Sequence, residues 1–316
     1  MIRSFARISR SFPSMRANPT SRLRPAILMA AVAAMSLTCA ALAQPFTYTF
    51  VPSNTVINTP VTTDFAIVGY SGGMYDVDMD GNFINNFTGP SSPTVNVAAG
   101  AVIPEAHIFN HSIVNVTGGS VDFAAMYDTS TLHVSGGMVR YALGLFSAEV
   151  RVTGGAIGEL NSQGRLANVS GGTLGIVTAN SNTDASGGVL GSSIVNITGG
   201  TFTSQVNALN DGILNLYGGN VFAASLRALE GGTLNIYGTG LSALLTNPST
   251  GGSSLYTLSG LLSDGSSLDG IQLFVRNNGV TYGNSRFNLI NIPTPGAAAV
   301  LALGGVLATR RRRGAR

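Results

Sequence analysis

The chain has 316 residues, 44% hydrophobic and only 10% charged, with 41 glycines, a single cysteine and no tryptophan. Its 17 basic residues are all arginine: six lie in residues 1–24, five in 310–316, and the remaining six share the middle with all 14 acidic residues, for a local charge of −8. An acidic middle excludes nucleic acid as a partner, since phosphate backbones are held by cationic surfaces, and one cysteine excludes a disulfide framework or a multi-cysteine metal site.

Residues 1–43 read as a secretory signal peptide. Residues 1–24 carry no acidic group, residues 25–42 are almost wholly apolar, and Ala41-Leu42-Ala43 precedes Gln44. A basic start, an apolar run and a small-x-small exit are the three parts of such a leader, with cleavage after Ala43. Cys39 falls inside it. Lipid attachment there would want a small residue just before and Leu three before, where Thr38 and Ser36 stand. The mature chain therefore has no thiol.

Residues 44–94 contain strand-like runs (FTYTFVPSNTVINTPVTTDFAIVGY) and are expected to form an N-terminal cap and first coils. Asp76, Asp78 and Asp80 alternate before Gly81, a pattern that can gather oxygens around a calcium ion. An EF-hand is not expected, because Ile84 and Phe87 occupy its ninth and twelfth positions. A simple calcium turn and a solvated acidic turn both remain open readings.

Residues 95–241 repeat. VNVAAGAV at 95, VNVTGGSV at 114, LHVSGGMV at 132, VRVTGGAI at 150 and ANVSGGTL at 167 are followed by TDASGGVL at 183, VNITGGTF at 195, LNLYGGNV at 214 and LNIYGTGL at 234. Nine copies at a period near 18, each a β-branched alternating run closed by glycines, predict a solenoid. Eighteen residues are too few for a propeller blade but suffice for one coil of a parallel β-helix. The expected fold is all-β: a parallel β-solenoid of about nine or more coils with a C-terminal β cap, roughly 43 Å long at 4.8 Å per coil. The period leaves the handedness open. Alternation turns the two valines of each copy inward. The residue between them faces out, giving a column of Asn96, Asn115, His133, Arg151, Asn168, Asp184, Asn196, Asn215 and Asn235. Stacked asparagines hydrogen-bond along such a column, and His133 and Arg151 simply share it.

Residues 242–290 lose the repeat. Turns at Asp264-Gly265 and Asn278-Gly279 separate alternating runs and suggest hairpins of a C-terminal β cap. Residues 291–316 end the chain as NIPTPGAAAVLALGGVLATRRRRGAR. The 13 apolar residues 297–309 span about 20 Å as a helix, against about 30 Å of hydrocarbon. They make a marginal membrane segment, with Arg310, Arg311, Arg312 and Arg313 held on the cytoplasmic side.

Pro293, Thr294, Pro295 and Gly296, the short apolar run and the arginine cluster together resemble the PEP-CTERM sorting tail of exported bacterial proteins, in a PTPG form with Thr294 where the name-giving Glu stands. The resemblance covers under a tenth of the chain. It implies an exosortase-like processing enzyme, transient residence in the inner membrane through the C-terminal helix, and an exopolysaccharide-secreting bacterium. The repeats resemble the passengers of autotransporters. An autotransporter also needs a long C-terminal barrel of alternating strands, which the roughly 75 residues after the last repeat are not expected to form.

No catalytic set is expected. The acidic residues are scattered, and His107 and His111, four apart in a strand-like segment, would sit about 13 Å apart. Tyr217 and Tyr237 follow equivalent strands and are expected to stack, either as a stabilising ladder or as a sugar-facing strip. The reading is a non-catalytic exported protein of the cell envelope, cell surface or extracellular matrix, structural or adhesive and without a cofactor, a calcium ion at Asp76, Asp78 and Asp80 staying an open reading. The alternative is a carbohydrate-binding or polysaccharide-degrading β-helix protein.

Overall fold

A computed structural model describes residues 48–51, 53–69, 92–183, 189–248, 252–276 and 285–292, all within the compact unit Thr47–Arg316. The described residues form an all-β, mostly parallel structure whose main sheet has 21 strands. No helix among them is long and apolar enough to cross a membrane.

Short and long strands alternate along the chain. Each pairs in parallel with the strand of its own kind one repeat later. The short ladder includes Ile113–Val116, Thr131–Val134, Glu149–Val152 and Leu166–Val169, in register so that Val114, Leu132, Val150 and Ala167 are successive partners. The long ladder includes Ser120–Met126, Met138–Leu145, Ala156–Gln163 and Thr173–Ala179. This pairing, each strand with the next of its kind and no closure into a barrel, is a solenoid-like repeat.

The residues dictate the winding. Each short strand puts two apolar side chains inside: Val114 and Val116, then Leu132 and Val134, then Val150 and Val152, none more than 2% exposed. They stack on their equivalents in neighbouring rungs as one continuous core, each side chain contributing about 1.5–3 kcal/mol on burial. The glycine pair then turns the chain. Gly137 has φ +63°, a left-handed conformation open to glycine at little cost. A Cβ on Gly136 would lie 2.4 Å from the Thr117 carbonyl oxygen of the rung before. One glycine makes the corner and the other lets the corners stack.

A second corner lies inside the long strands. In Ala156–Gln163 the buried residues are Ile157 and then Leu160, so the alternation slips by one at Gly158. Pro104, Asp122 and Arg140 hold the same place in earlier rungs, where the register skips them. Asp122 and Arg140, on successive corners, pair across the surface. The Arg140 hydrogen bond lowers the pKa of the Asp122 carboxyl.

One repeat assignment is corrected. TDASGGVL at 183–190 is not a rung, because Leu166–Val169 pairs directly with Ile194–Ile197, Asn168 opposite Asn196. Ser181–Thr183 and Val189–Ser192 form a small antiparallel hairpin instead. The physical reason is the inward pair: this copy offers Thr183 and Ala185 where the stacked copies offer mostly valine, leucine or isoleucine, too little apolar surface to hold a place in the core. Eight of the nine copies stack. Thr55–Ile57 and Arg286–Asn291 extend the short ladder beyond them at its two ends.

Beyond residue 241, Thr233–Pro248 continues as one arm of an antiparallel hairpin with Ser253–Leu262. Ser253–Leu262 also pairs antiparallel with Gln272–Arg276, which continues the long ladder on Ser225–Leu229. The two ladders are thereby joined at this end. Asp264-Gly265 forms a turn, with the Gly265 N–H donating to the Leu262 carbonyl (2.9 Å). Asn278-Gly279 lies outside the described residues.

Candidate binding surface

The outward column of the short ladder is a chain of side-chain amides. Asn115 Nδ2 donates to Asn96 Oδ1 (2.8 Å). After an interruption, Asn196 donates to Asn168 (3.0 Å), Asn215 to Asn196 (2.9 Å), Asn235 to Asn215 (2.8 Å) and Asn288 to Asn235 (2.7 Å). Asn288 was invisible as a member because no glycine pair follows it. His133 and Arg151 fill the interruption as surface residues. Arg151 Nε and its terminal amine donate to the Glu149 carboxylate (2.9 and 3.1 Å), and His133 Nε2 lies 3.4 Å from Thr153 Oγ1. Asp184 lies outside the described residues, and the column passes from Asn168 straight to Asn196.

Tyr217 and Tyr237 stack as expected, with centroids 4.2 Å apart and planes 17° from parallel. Burial, and then the Tyr217 hydrogen bond, raise the Tyr237 phenol above its ordinary value. Their backbone carbonyls accept N–H bonds from Asp264 (3.3 Å) and Ser263 (3.0 Å), and the Asp264 carboxylate accepts from the Gly219 N–H (2.7 Å). The pair therefore sits where the Asp264 turn docks on the rungs.

A second aromatic group lies on the long ladder. Phe109 stacks on Tyr127 (4.7 Å, 9°) and Phe123 on Tyr141 (5.3 Å, 5°). His107 lies 5.9 Å from the Tyr127 ring and 6.4 Å from Phe123. Its Nε2 is 2.8 Å from Glu105 Oε1 and its Nδ1 is 3.2 Å from the Tyr127 hydroxyl. Burial lowers the His107 pKa, against the opposing pull of Glu105. A neutral ring donating from Nε2 to Glu105 and accepting at Nδ1 from Tyr127 satisfies all three groups. Glu105, His107 and Tyr127 are thus a bonded polar clasp between rungs. The spacing of 18 in both Phe109–Tyr127 and Phe123–Tyr141 was the available signal, but neither pair belongs to the glycine motif. His111 is not on the strand with His107: the strand ends at Ile108, and His111 is exposed in the following turn, against Asn110 Oδ1 (3.0 Å).

At the N-terminal rungs an uncharged groove of about 410 Å³ is lined by hydroxyl and aliphatic side chains, among them Thr49, Ser53, Val56, Pro60 and Thr62. Among the described residues no three His, Cys, Asp or Glu side chains gather as a metal site. Ala41, Ala43 and Gln44, the three aspartates Asp76, Asp78 and Asp80, the turn Pro293, Thr294, Pro295 and Gly296, and the arginines Arg310, Arg311, Arg312 and Arg313 all lie outside the described residues. No family model, no curated protein and no solved structure matches the chain.

Proposed function

We propose that this chain is a non-catalytic, exported bacterial protein of the cell surface or extracellular matrix, a stiff rod with a structural or adhesive role. On this reading residues 1–43 are removed on export. The rest folds as a parallel β-helix closed by a C-terminal β cap outside the inner membrane. The apolar helix and arginines of the tail hold it there until an exosortase-like enzyme acts at the Pro293–Pro295 turn, and exopolysaccharide is the surrounding medium.

The observation that carries the reading is the amide column from Asn168 to Asn288, hydrogen-bonded rung to rung. It spends the outward polar groups on holding the rod together. The test is the intact mass of the protein recovered from the envelope and the medium of its native cell. A species from Gln44 to near Pro293 is expected. A species that keeps Arg310–Arg313 makes the tail a plain anchor, and one that keeps residues 1–43 ends the export reading.

The stacked aromatic pairs favour a second reading, carbohydrate binding. Aromatic faces are the usual platforms for sugar rings. Retention of the protein on a polysaccharide column, lost in Tyr217→Ala/Tyr237→Ala, would select it.

A further inference from the structure

We infer that the outward face of the long ladder between Tyr141 and Arg227 is a binding track for a neutral, hydroxyl-rich saccharide chain lying along the rod. The inference rests on the carbohydrate-binding reading and gives it a different site from the Tyr217–Tyr237 stack.

Unpartnered asparagines carry it. Among the described residues five buried side-chain polar atoms lack a hydrogen-bond partner, and three of them are the Oδ1 atoms of Asn161, Asn207 and Asn210. All three belong to neighbouring rungs of the long ladder, whose strands here are Ala156–Gln163, Thr173–Ala179 and Thr201–Leu209. Asn161, Thr178 and Asn207 are successive register partners, and Arg227 of Ser225–Leu229 comes next. They alternate with the buried Leu160, Val177 and Val206 and so face out. On the short ladder the oxygens of Asn168, Asn196, Asn215 and Asn235 each accept the amide of the next rung. Here Thr178 interrupts the chain. Its Oγ1 accepts from Asn207 Nδ2 (3.2 Å), and the Asn161 oxygen receives nothing. Asn207 is 8% exposed, yet its oxygen has no donor. A buried acceptor left unfilled is costly and calls for a partner from outside the chain.

The neighbouring groups are unspent as well. Tyr141, Glu159, Ile176 and Gln205 form the adjoining outward column. Among the described residues Glu159 and Arg227 join no ion pair, and the Tyr141 hydroxyl makes no hydrogen bond. The Tyr141 ring stacks on Phe123 on one side, and Glu159, not another ring, follows on the other.

The chemistry selects the ligand class. The open amide groups are acceptors, so the ligand must bring donors. A single cation cannot serve them, because Asn161 and Asn207 stand two rungs, about 10 Å, apart and the oxygens around a calcium ion lie within about 2.6 Å of it. A cationic chain would meet Arg227 beside Asn207, and an acidic one would meet Glu159. A neutral saccharide supplies hydroxyl donors at repeated intervals, accepts from Arg227 and sets an apolar ring face on Tyr141. Gln205 lies beside Asn207, with Oε1 3.5 Å from Nδ2. That distance is at the limit of hydrogen bonding, so the Gln205 side chain can swing aside to admit the ligand.

The test is binding of the full chain to immobilised galactomannan, mixed-linkage glucan, dextran and alginate, read by interferometry, with a thermal midpoint for every variant. The expected result is binding to at least one of the three neutral polymers, unchanged by added salt, weakened about fivefold in Asn161→Ala and abolished in Asn161→Val/Thr178→Val/Asn207→Val. Asn161→Ala removes no hydrogen bond between described residues, and the triple variant puts strand-forming valine in place of the unpartnered amides, so neither midpoint should fall. Unchanged binding in Asn161→Ala overturns the inference, whatever the triple variant does. If binding is then lost in Tyr217→Ala/Tyr237→Ala, the carbohydrate reading stands on the other face. Binding to alginate alone, reversed by salt, overturns the neutral ligand. No binding to any of the four overturns the carbohydrate reading and this inference together.

Discussion

Gly136 and Gly144 are both glycines of the rungs, yet they answer oppositely to a methyl group. At Gly136 the new Cβ meets the Thr117 carbonyl at 2.4 Å. The obstructing atom is backbone, locked into the stack, so Gly136→Ala is expected to cost more than about 3 kcal/mol. At Gly144 the nearest atom is Val150 Cγ2 at 3.7 Å, and the residue is not among those with positive φ. There alanine restricts the unfolded chain and fills contact space, for an expected gain of about 0.4–1 kcal/mol. Urea midpoints of the two variants measure both numbers, and a loss at Gly144 would contradict the argument. His107 gives a pH signature. Burial lowers its pKa, so the folded state binds fewer protons than the unfolded one. Its contribution is complete above the unfolded value of about 6.5 and is lost as pH falls through that value toward the folded one. The thermal midpoint should drop on acidification across this window, and His107→Gln should flatten that slope. An unchanged slope would place the titration elsewhere.

The hairpin at 181–192 is an insertion into a turn. The Asn180 carbonyl accepts the Ser193 N–H at 3.2 Å, as the Tyr127 carbonyl accepts Ser130 (3.1 Å) and the Leu145 carbonyl accepts Ala148 (3.0 Å). Residues 181–192 therefore stand where two residues stand in those rungs. Replacing them with Asn-Asp, the pair at 210–211, should leave the circular-dichroism spectrum of a folded rod and change stability by no more than about 2 kcal/mol, since loop length enters only logarithmically. Loss of cooperative unfolding would show that the hairpin braces the core. The same segment shows what the sequence could disclose. The short strands were legible because Val-Asn-Val and the glycine pair are local signals, and the amide column and the Tyr217–Tyr237 stack followed from them. TDASGGVL imitated the signal without the apolar pair that makes a rung. The long strands were hidden for two reasons: their inward residues include small ones such as Ala106, Ala124 and Ala142, and their alternation slips at the Pro104–Asp122–Arg140 corner. The Glu105–His107–Tyr127 clasp was hidden with them, because it joins residues whose proximity depends on that ladder's register.

For the whole molecule, rungs are interchangeable units, each touching mainly its neighbours. Thr131 and Glu149 are register partners, so excising residues 131–148 joins Ser130 to Glu149 without disturbing either ladder's phase. The shortened chain should fold, be about 5 Å shorter by X-ray scattering, and unfold in urea with a slope reduced by about a tenth. Aggregation or an unchanged length would argue against modular stacking. The direction of the hydrogen bonds has a mechanical corollary. Backbone ladders and amide column alike run along the rod, so a pull between its two ends does not load them together. It loads the terminal rung, which peels while the rest stay slack, and each detached repeat releases about 18 residues, close to 60 Å of extended chain. Under tension the rod is a spool: its yield force belongs to a single turn, and added turns increase how far it can pay out before it breaks, not how hard it can be pulled.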